Sequence, residues 1–361
     1  MQTVVKRENL SIVQALRGIA ALWVVLFHAN EGGHIPSLRQ ALPDPVGSLV
    51  FDAGHFGVAI FFALSGFVIS YGLDRSRATL GFFGTFIIRR SIRLDPPYWA
   101  SMLLSVALIA VSGLVKHEDF TLPDFSSVLA HLFYLQVILD KPEINSVYWT
   151  LTYEVQFYLF FVGAIVARFY LKHAVDTAIY IVIDIALFLC AISAALGYFE
   201  NVHPGLFLPL WSSFYIGVLA HTATLSKRTI LAFIALFVAM LFNGEFSIVS
   251  AFTGAFLLMA MMSGWAKNGM NWRWLQFLGG ISYSLYLVHN PVTGAVSFVL
   301  NRIPVHGTIT DLVKLVMIVA SSVIAAYIFW FVIEKRTHDI ARSITTTGSA
   351  LPWQKRKVRR D

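Results

Sequence analysis

Cysteine is almost missing: Cys190, inside an apolar run, is the only one in 361 residues. One thiol excludes an intrachain disulfide framework and a multi-cysteine metal site, which leaves Cys190 as a small packing residue. Charge is scarce as well. Asp, Glu, Lys and Arg make up 13% of the chain, about half the share of a soluble domain. Several chemical signatures are absent too: no HExxH, no Gly-rich loop ending in GK[ST], and no G-x-S-x-G. Zincin, P-loop and nucleophile-elbow chemistry are thereby set aside. With so few clustered ligand-type residues, no metal site is expected. No small-residue cleavage pattern follows the first apolar segment, so that segment is expected to remain as a membrane span.

What the chain has is apolar length. Hydrophobic residues reach 57% and mean hydropathy is +0.70, which reads as an all-α, polytopic membrane helix bundle. Windows of about 20 residues place ten spans near 12–30, 55–73, 97–115, 148–168, 177–197, 205–222, 229–243, 246–264, 277–297 and 311–333. The stretch 125–139, after Pro123-Asp124, is shorter and reads as an interfacial or re-entrant helix. A net charge of +7 would suggest nucleic acid in a soluble protein. Here the basic residues sit between apolar segments, as the positive-inside rule describes, and no nucleic-acid partner is expected. Arg75, Arg77, Arg89, Arg90, Arg93, Arg168, Lys172, Lys227, Arg228, Lys267 and Arg273 fall on one side. Arg39, Lys116, Lys141 and Arg302 fall on the other, among Asp119, Asp124, Asp140 and Glu143. This asymmetry predicts both termini in the cytoplasm and an even number of spans. The division is a transmembrane domain over 1–340 and a short basic tail over 341–361, where Lys355-Arg356-Lys357 would rest on anionic lipid.

Ionisable groups inside such spans are expensive and mark function. Arg17 and His28 lie eleven residues apart in the first span. At about 100° per residue the two share a face, about 16 Å apart along the axis. An Arg in a membrane helix costs about 2.5–3.5 kcal/mol on insertion scales, so a snorkelling Arg17 competes with one that faces a polar interior. Glu154, in VYWTLTYEVQFYLF, enters from the outer side and is expected at the depth of His28. A carboxylate there can fix the imidazole tautomer and support its cation, or merely join two helices. The stretch IIRRSIRLDPPYW puts Arg89, Arg90 and Arg93 within one turn, before Pro96-Pro97, which is expected to stop or redirect the chain. Three guanidiniums suit phosphate, either of a diphosphate cofactor or of lipid headgroups. In GVAIFFALSGFVISYG, the small residues Gly57, Ala63, Ser65, Gly66 and Ser70 allow close helix packing or bare backbone beside a ligand. Ser65 is counted with the cofactor-binding candidates. His55 at the outer mouth is a weaker candidate. His289, beside Tyr283, Ser284 and Tyr286 in the ninth span, is either catalytic or packed, and Pro291 should kink that helix. Asp184 has no obvious partner.

These segments, in this order, resemble the acyltransferase-3 family of membrane O-acyltransferases. Arg17 and His28 match its Arg-x10-His pattern. FFALSGF, RRSIRLDPPYW, VYWTLTYEVQFY and ISYSLYLVHNPV are similar to its later segments, so the likeness runs roughly from Leu10 to Arg336. The resemblance implies transfer of an acyl group, acetyl being the usual one, from cytoplasmic acyl-CoA to a carbohydrate hydroxyl of a cell-surface or lipid-linked acceptor. Acyl-CoA, probed first as acetyl-CoA, would be the co-substrate, with no metal. It implies a bacterial inner-membrane enzyme that uses His28, Glu154 and Arg17 in catalysis and Arg89, Arg90 and Arg93 for the CoA phosphates. His28 would act as base or be transiently acylated. Glycan specificity is expected in loops 31–54 and 116–147. The alternative is a proton-coupled transporter or a flippase of a lipid-linked sugar, because intramembrane His and Glu also suit proton relays.

Overall fold

The computed structural model describes residues 10–73, 78–117, 122–174, 178–302 and 307–344. Arg75, Arg77, Asp119 and the Lys355-Arg356-Lys357 run lie outside the described residues. Among those described, the chain is helical throughout, without strands. The helices are α1 (Ser11–Glu31), α2 (Pro36–Ala41), α3 (Asp44–Val50), α4 (Gly57–Gly72), α5 (Leu80–Lys116), α6 (Phe125–Leu132), α7 (Trp149–Ala174) and α8 (Ala178–Ala195). They continue with α9 (Trp211–Thr222), α10 (Lys227–Met240), α11 (Gly244–Met262), α12 (Arg273–Gly280), α13 (Ser282–Leu300), α14 (Thr308–Phe329) and α15 (Lys335–Ser343).

Each of the ten apolar windows contains a helix. Six helical stretches among the described residues are long and apolar enough to cross a membrane: Ser11–Glu31, Asp44–Gly72, Leu80–Val115, Trp149–Lys172, Gly244–Met262 and Thr308–Ser343. The remaining windows hold helices that fall below that length or hydropathy. In α13, for instance, Tyr, Ser, His and Asn dilute the apolar residues. The outer faces carry Leu103, Ile109, Val111 and Leu114 of α5 and Val313, Val316 and Ile324 of α14, all exposed, as suits helices that meet lipid chains.

Two expectations about local structure are corrected. Pro96 and Pro97 do not stop the chain; both lie inside the 37-residue α5. They withdraw the N–H partners of the Ile92 and Arg93 carbonyls, a loss that membrane helices tolerate, and the next carbonyl along takes a bond from a neighbouring helix. Tyr283 Oη donates to the Leu94 carbonyl at 3.0 Å. Pro291 lies inside α13, within the span where it was expected. Asp184, for its part, has a partner: Arg168 Nε reaches its Oδ2 at 2.9 Å and ties α7 to α8. The 125–139 stretch forms only the eight residues of α6 before a turn at Tyr134, whose φ is +59°.

Glycine sets the two tightest crossings. A Cβ on Gly66 of α4 would lie 1.8 Å from the Phe214 carbonyl oxygen, and one on Gly217 of α9 would lie 1.9 Å from that of Ala63. At the other crossing, a Cβ on Gly279 of α12 would meet the Gln14 oxygen of α1 at 2.0 Å. Such contacts are how membrane helices gain packing without a hydrophobic driving force. Between α4, α7 and α9 an aromatic stack fills the core, with Phe214 centred 4.3 Å from Phe62 and 4.4 Å from Phe157. The last long helix changes pitch once: Trp330–Glu334 forms a π turn joining α14 to α15.

Candidate functional site

The spacing of Arg90 and Arg93 on α5 puts them on one helical face, and that face looks onto a cavity. The cavity holds about 790 Å³ of empty space, its open mouth included, and its polar lining includes Arg17, Ser65, Arg90, Arg93, Glu154 and Tyr283. Val58, Phe61, Phe62, Leu64, Val68, Leu94, Leu151 and Tyr286 supply apolar wall. Five of the seven candidates from the sequence therefore meet here, contributed by α1, α4, α5 and α7.

Arg89 and His28 do not line the cavity. Arg89 turns the other way, its Nε donating to the Ala341 carbonyl at 3.0 Å, so it ties α5 to α15. The guanidiniums that line the cavity are thus Arg17, Arg90 and Arg93, with Arg89 outside it. One helix can place two of these guanidiniums on a shared face at i and i+3, and the third comes from α1.

Glu154 is held by a network that does not include His28. Ser65 Oγ donates to Glu154 Oε1 at 2.7 Å, and Tyr158 Oη donates to the same oxygen. Arg90 Nη2 donates to Tyr158 Oη and lies 3.5 Å from Glu154 Oε1. The Arg90 guanidinium also stands over the Tyr158 ring, 3.8 Å from its centroid, a cation–π contact. Arg90 Nε is buried without a partner. Among the described residues neither Arg17 nor Arg93 donates a side-chain hydrogen bond, though both face the charge of Glu334. Three guanidiniums against the carboxylates of Glu154 and Glu334 leave an excess of positive charge at the cavity, with donors on Arg17 and Arg93 free for an anion.

His28 lies beyond this cavity. Its Nδ1 is 2.8 Å from Oε2 of Glu31, one turn further along α1. Its ring centre is 5.1 Å from that of His289. His289 is fully buried, with Nδ1 on the carbonyls of Leu285 and Tyr286 at 3.0 and 2.9 Å and Nε2 unpartnered. Ring contacts run from the cavity wall to His28: Phe61 to Tyr286 at 5.8 Å, Tyr286 to His289 at 6.0 Å, then His289 to His28. The expected pairing of Glu154 with His28 is replaced by two separate pairs, Glu154 with Arg90 and His28 with Glu31. Glu154 shares its cavity with Arg17, the other member of the α1 pair. His55 is exposed, its Nδ1 2.8 Å from the Asp52 carbonyl oxygen.

Two carboxylates escaped the sequence reading. Glu334, 6% exposed, accepts both the backbone N–H and the hydroxyl of Ser284 at 3.1 and 2.5 Å. It stands at the edge of an apolar window, where a charge reads as a boundary. The signal that could have found it is a lone acid between an apolar run and a basic tail. Glu31 also stood at a boundary, yet the His28-to-Glu31 interval of three was visible as a shared helical face.

A family profile described as "Acyltransferase domain" matches residues 11–331. Three curated proteins are similar over part of the chain. Nodulation protein 10 of Rhizobium leguminosarum bv. viciae is 32% identical over 40% of this chain and 41% of its own. Exopolysaccharide production protein ExoZ of Rhizobium meliloti (strain 1021) is 33% identical over 32% of this chain and 35% of its own. Regulator of hypoxia-inducible factor 1 of Caenorhabditis elegans is 25% identical over 43% of this chain and 34% of its own. The matched stretches thus span less than half the length of these relatives. No solved structure matches.

Proposed function

Because the chain belongs to the acyltransferase-3 family, we propose that it is an integral membrane O-acyltransferase moving an acyl group, acetyl first among those to test, from acyl-CoA to a carbohydrate hydroxyl. The observation that carries this reading is the cavity with three guanidiniums, two of them without a hydrogen-bond partner in the described protein. Arg binds phosphate bidentately and keeps its charge when desolvated. Arg17, Arg90 and Arg93 would hold the phosphates of CoA delivered from the cytoplasm, and the apolar wall would take the pantetheine arm. Glu154, with Ser65 and Tyr158, keeps Arg90 oriented.

His28 then serves as general base for the acceptor. Its Nε2 takes the hydroxyl proton as the sugar oxygen attacks the thioester carbonyl. The C–S bond breaks, the ester forms, and the CoA thiolate leaves with the proton returned by the imidazolium. The acceptor would be a cell-surface or lipid-linked glycan at a bacterial inner membrane. Support for a glycan comes from the similarity to a protein named for exopolysaccharide production.

The test uses membranes carrying wild type or H28A and acetyl-CoA labelled in the acetyl group. Free CoA and labelled glycan ester with wild type, and only a small residual rate with H28A, are expected. Full transfer by H28A would remove His28 from the mechanism. No turnover by wild type with several acyl-CoAs and glycan extracts would favour transport.

A further inference from the structure

We propose that Glu31 is the positioning residue of His28, a role that rests on the acyl-transfer reading above and replaces the expected partnership with Glu154. Glu31 is the last residue of α1, three residues after His28, so the two side chains share a face. Helix α1 ends directly behind it: Gly33 takes a φ of +66°, and the His34 N–H bonds back to the Ala29 carbonyl at 3.3 Å. The carboxylate is thereby set over His28 Nδ1 at 2.8 Å.

The neighbours leave Glu31 as the counter-charge for this imidazole. Asp52, the nearby acid on the turn before α4, is already engaged by Asn30 and Arg39 at 2.9 and 2.7 Å. From α13 the ring facing His28 is His289, which points Nδ1 at its own backbone. Phe27 covers another side, its ring centre 5.0 Å away. A carboxylate at a helix C-terminus also opposes the macrodipole, so helix stability alone gives no reason for an acid at this position.

The chemistry follows from which nitrogen is occupied. With Nδ1–H donating to Glu31, the lone pair of neutral His28 sits on Nε2, the nitrogen that must accept the hydroxyl proton. As that proton arrives, the imidazolium forms beside an existing carboxylate. Glu31 stays ionised and gains no proton, and His28 returns its Nε2 proton to the leaving thiolate. His28 is 12% exposed at its side chain and Glu31 58%. The pair therefore bridges the buried ring chain and the end of the bundle where an acceptor could arrive.

A structural ion pair of this exposed kind contributes little to stability, so stability and turnover separate the two roles. In reconstituted full-length protein supplied with acetyl-CoA and the glycan fraction, E31A should lower kcat about 10- to 100-fold, part of a general base's contribution. KM for acetyl-CoA and the thermal midpoint should stay near wild type. E31Q, whose amide oxygen still accepts from Nδ1–H, and E31D, which keeps the charge, should each recover part of the loss. In an H28A background, adding E31A should cost nothing further, because residues acting as a unit are non-additive. Wild-type kcat in E31A, or losses that multiply in the double variant, would overturn the assignment while leaving acyl transfer intact. Absence of turnover in wild type would overturn the transfer reading itself, and the positioning role with it.

Discussion

Gly217→Ala is a one-carbon test of how the cavity wall is held. The added Cβ would sit 1.9 Å from the Ala63 carbonyl oxygen and 2.7 Å from the Phe67 nitrogen, and ordinary contact starts at 3.4 Å. Both obstructing atoms are backbone, so no side chain can swing aside. Helices α4 and α9 must part by about 1.5 Å at this point. Overpacking costs about 1–3 kcal/mol where side chains can yield, so a backbone collision belongs at or above about 3 kcal/mol. The displaced helix carries Phe61, Phe62, Leu64 and Ser65, all on the cavity wall, and Ser65 would leave the 2.7 Å bond to Glu154. A shift of about 1 Å in a positioned group can cost about 100-fold in rate. The assay is the thermal midpoint in detergent and CoA release at saturating acetyl-CoA, with Gly294→Ala in α13 as control. A Cβ there meets nothing within 4 Å, and the change gains helix propensity. The expected result is a midpoint several degrees lower and a strongly reduced rate for G217A, with G294A at or above wild type. If G217A matched G294A in both, the crossing would not be the rigid contact described.

Removing single groups around the cavity should separate binding from support. E154Q deletes the charge opposite Arg90, and breaking a buried pair costs about 3–5 kcal/mol; with Glu154 21% exposed at its side chain, a loss of about 2 kcal/mol in thermal or denaturant stability is expected. R17A and R93A should each raise KM for acyl-CoA about tenfold or more, as loss of a charge-assisted contact does. R89A, which loses only the link to Ala341, should leave KM unchanged; isothermal titration with CoA checks the same ranking. E334A removes the acceptor of both Ser284 donors and should lower stability by about 1–3 kcal/mol, whereas E334Q, still an acceptor, should lower it less.

Helix placement was largely readable from the chain, because a membrane span must satisfy its backbone internally and so announces itself as an apolar window. The internal phase of a helix was readable too: Arg90 and Arg93 share a face as their spacing requires. What a single sequence does not carry is the rotation of one helix against its neighbours. That rotation sent Arg89 to Ala341 and brought Arg17 into the cavity. Depth alone suggested Glu154 for His28, but lateral packing assigns Glu154 to Arg90, Ser65 and Tyr158. Pro96 and Pro97 misled for a related reason. A proline in a helix interior usually ends or kinks the run, but membrane helices tolerate it, and α5 runs on through both. Asp184 lacked a partner in sequence because Arg168 lies on the preceding helix.

The π turn at Trp330–Glu334 has a consequence for how this chain tolerates change in length. A π turn amounts to an α-helix with one residue inserted, and each α-helical residue advances about 100° around the axis. The insertion lets one continuous rod face two neighbours, α14 packing on α13 and α15 on α5, with no loop between them. Deleting any one residue of this turn would rewind the rod into regular α-helix. Glu334 would then swing about 100° away from Ser284, and the Ala341 carbonyl would leave Arg89. An alignment gap of a single position here, innocuous on the page in so apolar a stretch, would unseat a buried carboxylate and uncouple two helices together.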